Sequence, residues 1–434
     1  MKKRKLLAIA LTAVMALCIS GCGSSSDEKS TSSEDNNKLV IWAWDGTFNV
    51  VAANEAKATY QKEHPDVDVE VVEMAQNDIV QKLNTNLSSN KTDGLPNIVL
   101  IEDYKAQNFL NSYKDAFKDL SSKVNKSDFM DYKLSVVSLD GKTYGVPFDS
   151  GVAGLFYRTD LIEQAGYKAE DMKNMTWDKY IEIGKAVKAK TGKAMLTLDP
   201  SDLGILRIMM QSSGEWYVKE DGKTVNLENN QSLKAGIKVY KEMMDSGIVE
   251  PVSDWNTFVA AFQKGEVATV PTGCWISSSI NKAEDQSGKW AVAPIPRLSG
   301  DSKSVNYSNI GGGSWYVLDK VGNSELASDF VTETFGASKE LANTLADKIN
   351  LVSTLKASST TENYGKAINF YGGQKLMEDF SNWTTKIPAV NYGLFTYNIE
   401  DIMKDVIQSI VKNNADIDTA LKDAQKQAEA AVLK

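Results

Sequence analysis

Residues 39–44 form an apolar run with the pattern of a strand, and the run stops at Asp45-Gly46, which predicts a strand ending in a turn. From Phe48 onward the spacing becomes that of a helix, with Val51, Ala52, Ala56 and Tyr60 on one side. Residues 67–72 alternate valine with acidic residues, the mark of a half-buried strand. Ile79, Leu83 and Leu87 mark a second helix, and 98–101 is a short apolar strand that ends at Glu102-Asp103. Strand, helix, strand, helix and strand in that order predict parallel strands in an α/β lobe. Ligands of such sheets sit beyond the carboxyl ends of the strands. Those ends are Trp44-Asp45 and Glu102-Asp103.

A new section opens at Tyr144-Gly145-Val146-Pro147, and Leu155-Phe156-Tyr157 reads as a strand. Thr176 suits a helix N-cap, with Tyr180, Ile181, Gly184 and Val187 following on one face. Trp255 starts another helix, which turns Phe258, Val259 and Phe262 inward and stops at Gly265. Strands are expected at 267–270, at 290–295 and, after three glycines, at 314–318, with a helix over 325–336. Ile399, Ile402, Met403, Val406, Ile407 and Ile410 form the strongest helical stripe of the chain. Leu421, Ala424, Ala428 and Ala431 form a last one.

The amino end follows a different rule. Lys2-Lys3-Arg4-Lys5, an apolar run over 6–19 and then Ser20-Gly21-Cys22 read as a secretory leader, with an apolar run too short for a comfortable membrane span. The polar stretch 23–37 has no apolar anchor and reads as a flexible tether. The formal charge of −9 becomes −13 once the four positive residues of 1–21 are removed. That acidity, without a basic stripe, argues against nucleic acid. Of three cysteines, Cys18 lies in the leader and Cys22 at its end, so Cys274 is left without a disulfide partner and reads as a small buried hydrophobe. The single histidine, His64, stands at a helix end before Pro65. One histidine leaves no Ser/His/Asp triad, Cys/His pair or His-rich metal site. No phosphate loop of the Walker type occurs, and neither a cofactor nor a metal is expected.

Three carboxylates fall at predicted strand ends or loops: Asp45, Asp103 and Asp149. Trp42, Trp44, Phe48, Tyr104 and Phe148 stand beside them, and Trp216, Trp255, Trp275, Trp315, Trp383 and Tyr392 come later. Several of the nine tryptophans lie next to glycine or proline in loops, outside the periodic stripes. A sugar needs this mixture, because its C–H face packs on an aromatic ring while its hydroxyls need paired acceptors and donors. Packing accounts for others. Trp42 and Trp44 share one side of a strand, Trp290 and Trp315 suit core strands, and Trp177 starts a helix. Asp149 equally suits a turn before Ser150-Gly151, and Asp103 an N-cap for a helix through Phe109 and Leu110. Gly311-Gly312-Gly313 would let a backbone approach a ligand closely. The candidate ligand contacts are Trp44, Asp45, Phe48, Asp103, Asp149, Trp216, Trp255, Trp275, Gly312, Gly313, Trp383 and Tyr392.

Ile19-Ser20-Gly21-Cys22 resembles the lipobox of bacterial lipoproteins, which implies a lipid on Cys22; the alternative is an ordinary leader with a chance cysteine. The body carries Tyr144-Gly145-Val146-Pro147, Leu155-Phe156-Tyr157-Arg158-Thr159-Asp160-Leu161, Glu163-Gln164-Ala165-Gly166 and Thr176-Trp177-Asp178-Lys179-Tyr180. Phe262-Gln263-Lys264-Gly265-Glu266-Val267-Ala268, Gly273-Cys274-Trp275, Ala293-Pro294-Ile295-Pro296, Gly311-Gly312-Gly313-Ser314-Trp315 and Ile387-Pro388-Ala389 follow. In order and spacing these resemble the extracellular solute-binding proteins of bacterial ABC importers, in the sugar-binding group like maltose-binding protein. Arg158 departs from the asparagine common there, at a position that is usually structural.

The resemblance implies an α/β, two-lobed periplasmic-binding-protein-like (type II) fold with a multi-strand hinge and the ligand in the cleft between lobes. Its expected boundaries are a leader over 1–21, a tether over 22–37, a first lobe of 38–148 plus 296–355, and a second of 149–295 plus 356–434. Carried over by position, Trp275 corresponds to the stacking tryptophan, Trp44-Asp45 with Phe48 to the first ligand loop, Asp103 to a contact after the third strand, and Trp383 and Tyr392 to late aromatics. The expected function is that of a monomeric lipoprotein on the outer face of the bacterial cytoplasmic membrane. It would capture a neutral sugar or oligosaccharide by lobe closure and deliver it to an ABC permease without reaction. Only four arginines occur, with Arg207 and Arg297 where a cleft could use them, which favours a neutral sugar. The abundance of aromatics favours two rings or more. The rival readings are a binding lipoprotein for a polyamine or peptide, a sensor without a transporter, and a secreted glycoside hydrolase using acids among Asp45, Glu102, Asp103 and Asp149.

Overall fold

A computed structural model describes residues 35–432. The expected leader and lipid site at Cys22, with most of the tether, lie outside the described residues. From the amino end the chain forms β1 (Lys38–Ala43), α1 (Asn49–Tyr60), β2 (Asp68–Glu73), α2 (Gln76–Leu87), β3 (Ile98–Glu102) and α3 (Asp103–Tyr113). It continues through α4 (Asp131–Val137) and the short β4 (Gly145–Pro147), crosses over, and forms β5 (Ala153–Arg158), α5 (Trp177–Thr191), α6 (Gly204–Ser212), α7 (Trp255–Gln263), β6 (Thr269–Gly273) and β7 (Trp290–Pro294). It returns as β8 (Gly313–Val317) and ends in α8 (Thr396–Asn413) and α9 (Ile417–Val432).

The first lobe is a five-stranded sheet in the order β2-β1-β3-β8-β4. β1 pairs in parallel with β2 and with β3, as the strand-helix alternation requires, while β8 runs antiparallel to both β3 and β4. Strand periodicity divides its side chains between two cores. Leu39, Ile41, Ile98, Leu100, Trp315 and Val317 face one way, against Ala52, Ala56 and Tyr60 of α1 and the helices Ser324–Glu333 and Lys339–Ile349. Trp42, Val99, Ile101 and Tyr316 face the other, against Ile79, Leu83 and Leu87 of α2.

The second lobe surrounds the antiparallel sheet β6-β5-β7. Thr176 caps α5, its hydroxyl accepting the Lys179 N–H at 3.3 Å, and Gly192 ends the helix in the left-handed conformation. α8 buries Ile399, Met403, Ile407 and Ile410, and α9 packs back with Leu421, Ala424 and Ala428. Trp177, Trp290 and Trp315 are core residues, and Cys274 is buried. His64 stacks on Tyr60 with centroids 4.1 Å apart.

Three chain segments cross between the lobes, at 148–153, 309–313 and 352–354. Bridges join Asp149 to Ser353 and Val152 to Asn309. A Cβ on Gly151 would lie 2.1 Å from the Ile310 carbonyl oxygen, so only glycine lets the two crossing strands meet. The expected return to the first lobe at 296 comes later. Arg297 N–H donates to Met175 O at 3.1 Å and Val305 N–H to Ser212 O at 2.9 Å, so this stretch belongs with the second lobe and the chain crosses at 309–313. Two prolines mark a change of direction at 294–296, and that turn stays within one lobe.

A buried lysine ties the crossing together. Lys133 of α4 is fully enclosed, pairs with the Asp103 carboxylate, and donates to the carbonyls of Asp149 at 2.8 Å and Gly313 at 3.1 Å. Asp149 Oδ1 in turn accepts the Gly313 N–H at 2.6 Å. Burial pushes the Asp103 carboxyl up to about 6 against the pull of Lys133, and burial raises Asp149 as well. Lys133→Met should cost about 3–5 kcal/mol, because it strands a buried carboxylate, and adding Asp103→Asn should recover part of that loss in urea unfolding. The raised Asp103 pKa adds a pH term. Its contribution to stability is full below the unfolded value of about 4 and is lost as pH rises through the folded value. Because Asp149 is raised in the same direction, melting curves of Asp103→Asn should show a smaller decline with pH than those of the parent.

Candidate functional site

The crossing segments floor a cleft of about 1020 Å³, at the upper end of the range for small-molecule sites. From the first lobe, the turn after β1 contributes Trp44, Asp45 and Phe48. Asp45 adopts a left-handed backbone (φ 63°), and its Oδ1 accepts the Thr47 N–H at 3.0 Å and the Thr47 hydroxyl at 2.8 Å. The side chain therefore fixes its own turn at the rim. Trp44 is half-buried and Phe48 nearly closed off.

The floor is Gly311-Gly312-Gly313 with Asp149. Gly312 has φ +97°, and a Cβ there would lie 3.0 Å from Asp103 Oδ2 and 3.1 Å from Lys133 Nζ. Backbone is thus exposed to the cleft where a side chain would collide with the buried ion pair.

The second lobe supplies the rings. Trp275 follows β6, lies against the two cores named above and a third apolar cluster, in the second lobe around Phe156, Phe262 and Phe380, and donates its indole N–H to Ile310 O at 3.0 Å. Trp255 opens α7 and is 53% exposed, the one large hydrophobic side chain so exposed among the described residues. The two indoles sit 5.8 Å apart at 44°, and Phe258 stacks on Trp255 at 5.4 Å. Trp255 and Trp275, with Glu102, Asp202 and Gly311, also line a second compartment of about 340 Å³. Arg207 of α6 lines that compartment, 4.9 Å above the Tyr104 ring and paired with Asp202 and Glu400.

Eight of the expected contacts therefore meet in one cleft: Trp44, Asp45, Phe48, Asp149, Trp255, Trp275, Gly312 and Gly313. The other four do not line it. Asp103 is fully buried beneath the floor, bound to Lys133 and, at 3.1 Å, to the Ser314 hydroxyl. Trp216 is buried between Tyr104, at 5.5 Å, and Tyr392, at 4.8 Å, and its indole N–H donates to Thr396 Oγ1. Tyr392 is buried in the same group, its hydroxyl donating to Gln211 Oε1 at 3.2 Å. Trp383 packs edge-on to Phe380 in the second-lobe core.

Glu102 and Asp202 line both compartments, and neither was singled out from the sequence as a contact. Glu102 does stand at a strand carboxyl end, where ligands are expected. Its Oε1 accepts the Tyr397 hydroxyl of α8 at 2.7 Å, and its Oε2 accepts from Lys105 and from Gln76, the latter at 3.3 Å. Asp202 carries no periodic signal, since it lies in the loop before a helix buried on all sides.

Residues 55–371 match the family model described as bacterial extracellular solute-binding protein. A lactose-binding protein of Rhizobium radiobacter is 43% identical over 391 residues, 90% of this chain and 92% of that protein. An arabinooligosaccharide-binding protein of Bacillus subtilis (strain 168) is 26% identical over 78% of this chain and 77% of its own length. In fold, the chain is similar to an ABC transporter associated binding protein from B. animalis subsp. lactis Bl-04, solved in complex with beta-1,6-galactobiose. The TM-score is 0.72 at 23% identity, covering 90% of this chain and 96% of the other. With a family model matched over most of its length and a two-lobed fold around one cleft, the chain belongs to the bacterial extracellular solute-binding proteins.

Proposed function

We propose that this protein is the substrate-binding lipoprotein of a carbohydrate ABC transporter, and that it takes a neutral oligosaccharide of two or more rings. The observation that carries the reading is the Trp255–Trp275 pair, two indoles on one wall of a cleft that also presents the carboxylates of Asp45, Glu102, Asp149 and Asp202, neutral polar side chains and glycine backbone. Sugar C–H faces pack on such rings, and adjacent hydroxyls donate to the carboxylates in charge-assisted pairs. The lactose-binding and arabinooligosaccharide-binding relatives support the same class of ligand. A ligand that touches both lobes favours closure by the difference in its contacts between open and closed forms, and the closed form docks on the permease. The sugar is then released intact. Two or more acyl chains on Cys22 would hold the protein at the outer membrane face, where a single chain is marginal.

A thermal-shift panel of lactose, arabinotriose, maltotriose and spermidine tests the class. A sugar at a hundred times its Kd should stabilise the fold by about 2.7 kcal/mol. A shift with spermidine alone would instead mean that the acids and rings serve a cation.

Trp255→Ala should leave unliganded stability within about 0.5 kcal/mol, because the ring is largely in solvent. It should weaken the stabilising sugar by about tenfold or more in titration calorimetry. Trp275→Ala should weaken binding similarly and also lower stability, since it removes the bond to Ile310. Cys22→Ala should move the exported protein from the membrane fraction to the medium or periplasm, as fractionation and immunoblotting would read.

A further inference from the structure

The 340 Å³ compartment holds two polar side chains that the fold does not fully use. Thr197 sits in the short strand Leu196–Leu198, whose parallel partner is Val249–Pro251. It is 2% exposed, and its hydroxyl has no hydrogen-bond partner among the described residues. A buried hydroxyl in that state normally has a reason to be there. Arg207 is also buried. Its Nη2 donates to Asp202 Oδ1 at 3.1 Å, and its Nε lies 3.2 Å from Glu400 Oε1 but out of line for a hydrogen bond. No hydrogen bond among the described residues uses its Nη1. Glu400 and Asp202 together with the Tyr104 ring hold the guanidinium in place without exhausting its donors.

We propose that this compartment receives the terminal ring of the bound sugar, and that Arg207 and Thr197 read its hydroxyls. The proposal rests on the carbohydrate reading above and adds where the chain end lies and which residues set specificity. The guanidinium supplies donors in a fixed fork, Asp202 beside it supplies an acceptor, and a ring carrying adjacent hydroxyls satisfies both. Charge points to a neutral terminus. Glu102, Asp199, Asp202 and Asp254 line the compartment, and Arg207 is the one cation lining it. A carboxylated ring would face several anions against a single guanidinium already paired with two. Trp255 and Trp275 line this compartment and the larger one alike, so a chain stacked on them passes from one into the other. The larger compartment then accepts the remaining rings.

The test is titration calorimetry of the full chain with whichever of lactose, arabinotriose and maltotriose binds, together with monodeoxy analogues of that sugar. Arg207→Lys keeps a cation for Glu400 and Asp202 but removes the fork, and should weaken the sugar by about tenfold or more. One monodeoxy analogue should bind the parent more weakly than the full sugar does, yet bind Arg207→Lys as well as that sugar does. Thr197→Val should show the same pattern with a different hydroxyl, without lowering the melting temperature of the unliganded protein; Thr197→Ser should restore affinity. Should Arg207→Lys fail to fold, Asp202→Asn carries the same arm, because its side chain is 65% exposed. A parent that binds sugar while Arg207→Lys or Asp202→Asn, and Thr197→Val, bind it equally well overturns the assignment of the compartment alone. A parent that binds none of the three sugars overturns the carbohydrate reading, and this one with it.

Discussion

The ammonium of Lys133 constrains the rest of the molecule. It lies at full burial, where a charge without partners costs several kcal/mol, so the chain must bring oxygen to it. The oxygens come from the end of β3 through Asp103, from one crossing strand through the Asp149 carbonyl, and from another through Gly313. Three segments distant in sequence therefore converge on one atom. A buried ion pair is weak support for stability as such, and here its value is geometric. One lysine stands against two buried acids, and burial holds both above the ordinary carboxylate range. That cluster fixes where the lobes join and places the Gly311–Gly313 backbone as the floor of the cleft.

Above that floor the two tryptophans have different jobs. Trp275 is held before any ligand arrives, by its bond to Ile310 O and by contact with all three apolar clusters. Trp255 has Phe258 stacked on it and Trp275 tilted beside it, and more than half of its surface faces water. A ring already ordered adds little entropy cost on binding, and a ring half in water gains most from being covered. Glu102 adds a link between lobes beside the same cleft, since it belongs to β3 and accepts from Tyr397 on α8. A ligand hydroxyl at Glu102 would therefore bear on the lobe arrangement directly.

The first lobe was legible because its strands are regular and its helices amphipathic. The apolar run over 39–44 and the Ile79, Leu83, Leu87 spacing are what a sheet with helices on its faces demands, and both appear as expected. α6 was not legible as a cleft helix, because all nine of its residues are buried and its polar positions Arg207 and Gln211 face protein groups, not solvent. The site was legible where side chains follow strand ends, at Trp44-Asp45 and Trp275. It misled where a loop folds back. Trp216, after Gly214, looks like a loop aromatic awaiting a ligand, yet the loop turns it onto Tyr104 of the first lobe and Tyr392 of the second. Asp103 and Asp149 offered the same local signal, and which one reaches the cleft depends on the position of Lys133. No local pattern encodes that.

Four aspartates of the two compartments share a feature that bears on how tightly they can hold an uncharged ligand. Asp45 accepts from the Thr47 N–H, Asp199 from the Ser201 N–H, Asp202 from the Gly204 N–H and Asp254 from the Thr257 N–H, each through Oδ1. Every one of these carboxylates closes a turn or caps a helix with one oxygen. Such bonds fix the side-chain rotamer before binding, so the second oxygen of each can accept from a hydroxyl without a further loss of side-chain freedom. Backbone N–H groups also hold Asp254 below the ordinary carboxylate range. A neutral, hydroxyl-rich ligand offers no charge to attract, so its affinity has to come from acceptors already aimed and from rings already placed. A wall of turn-locked aspartates provides the first of these, and its acidity also works against anionic competitors of the same shape.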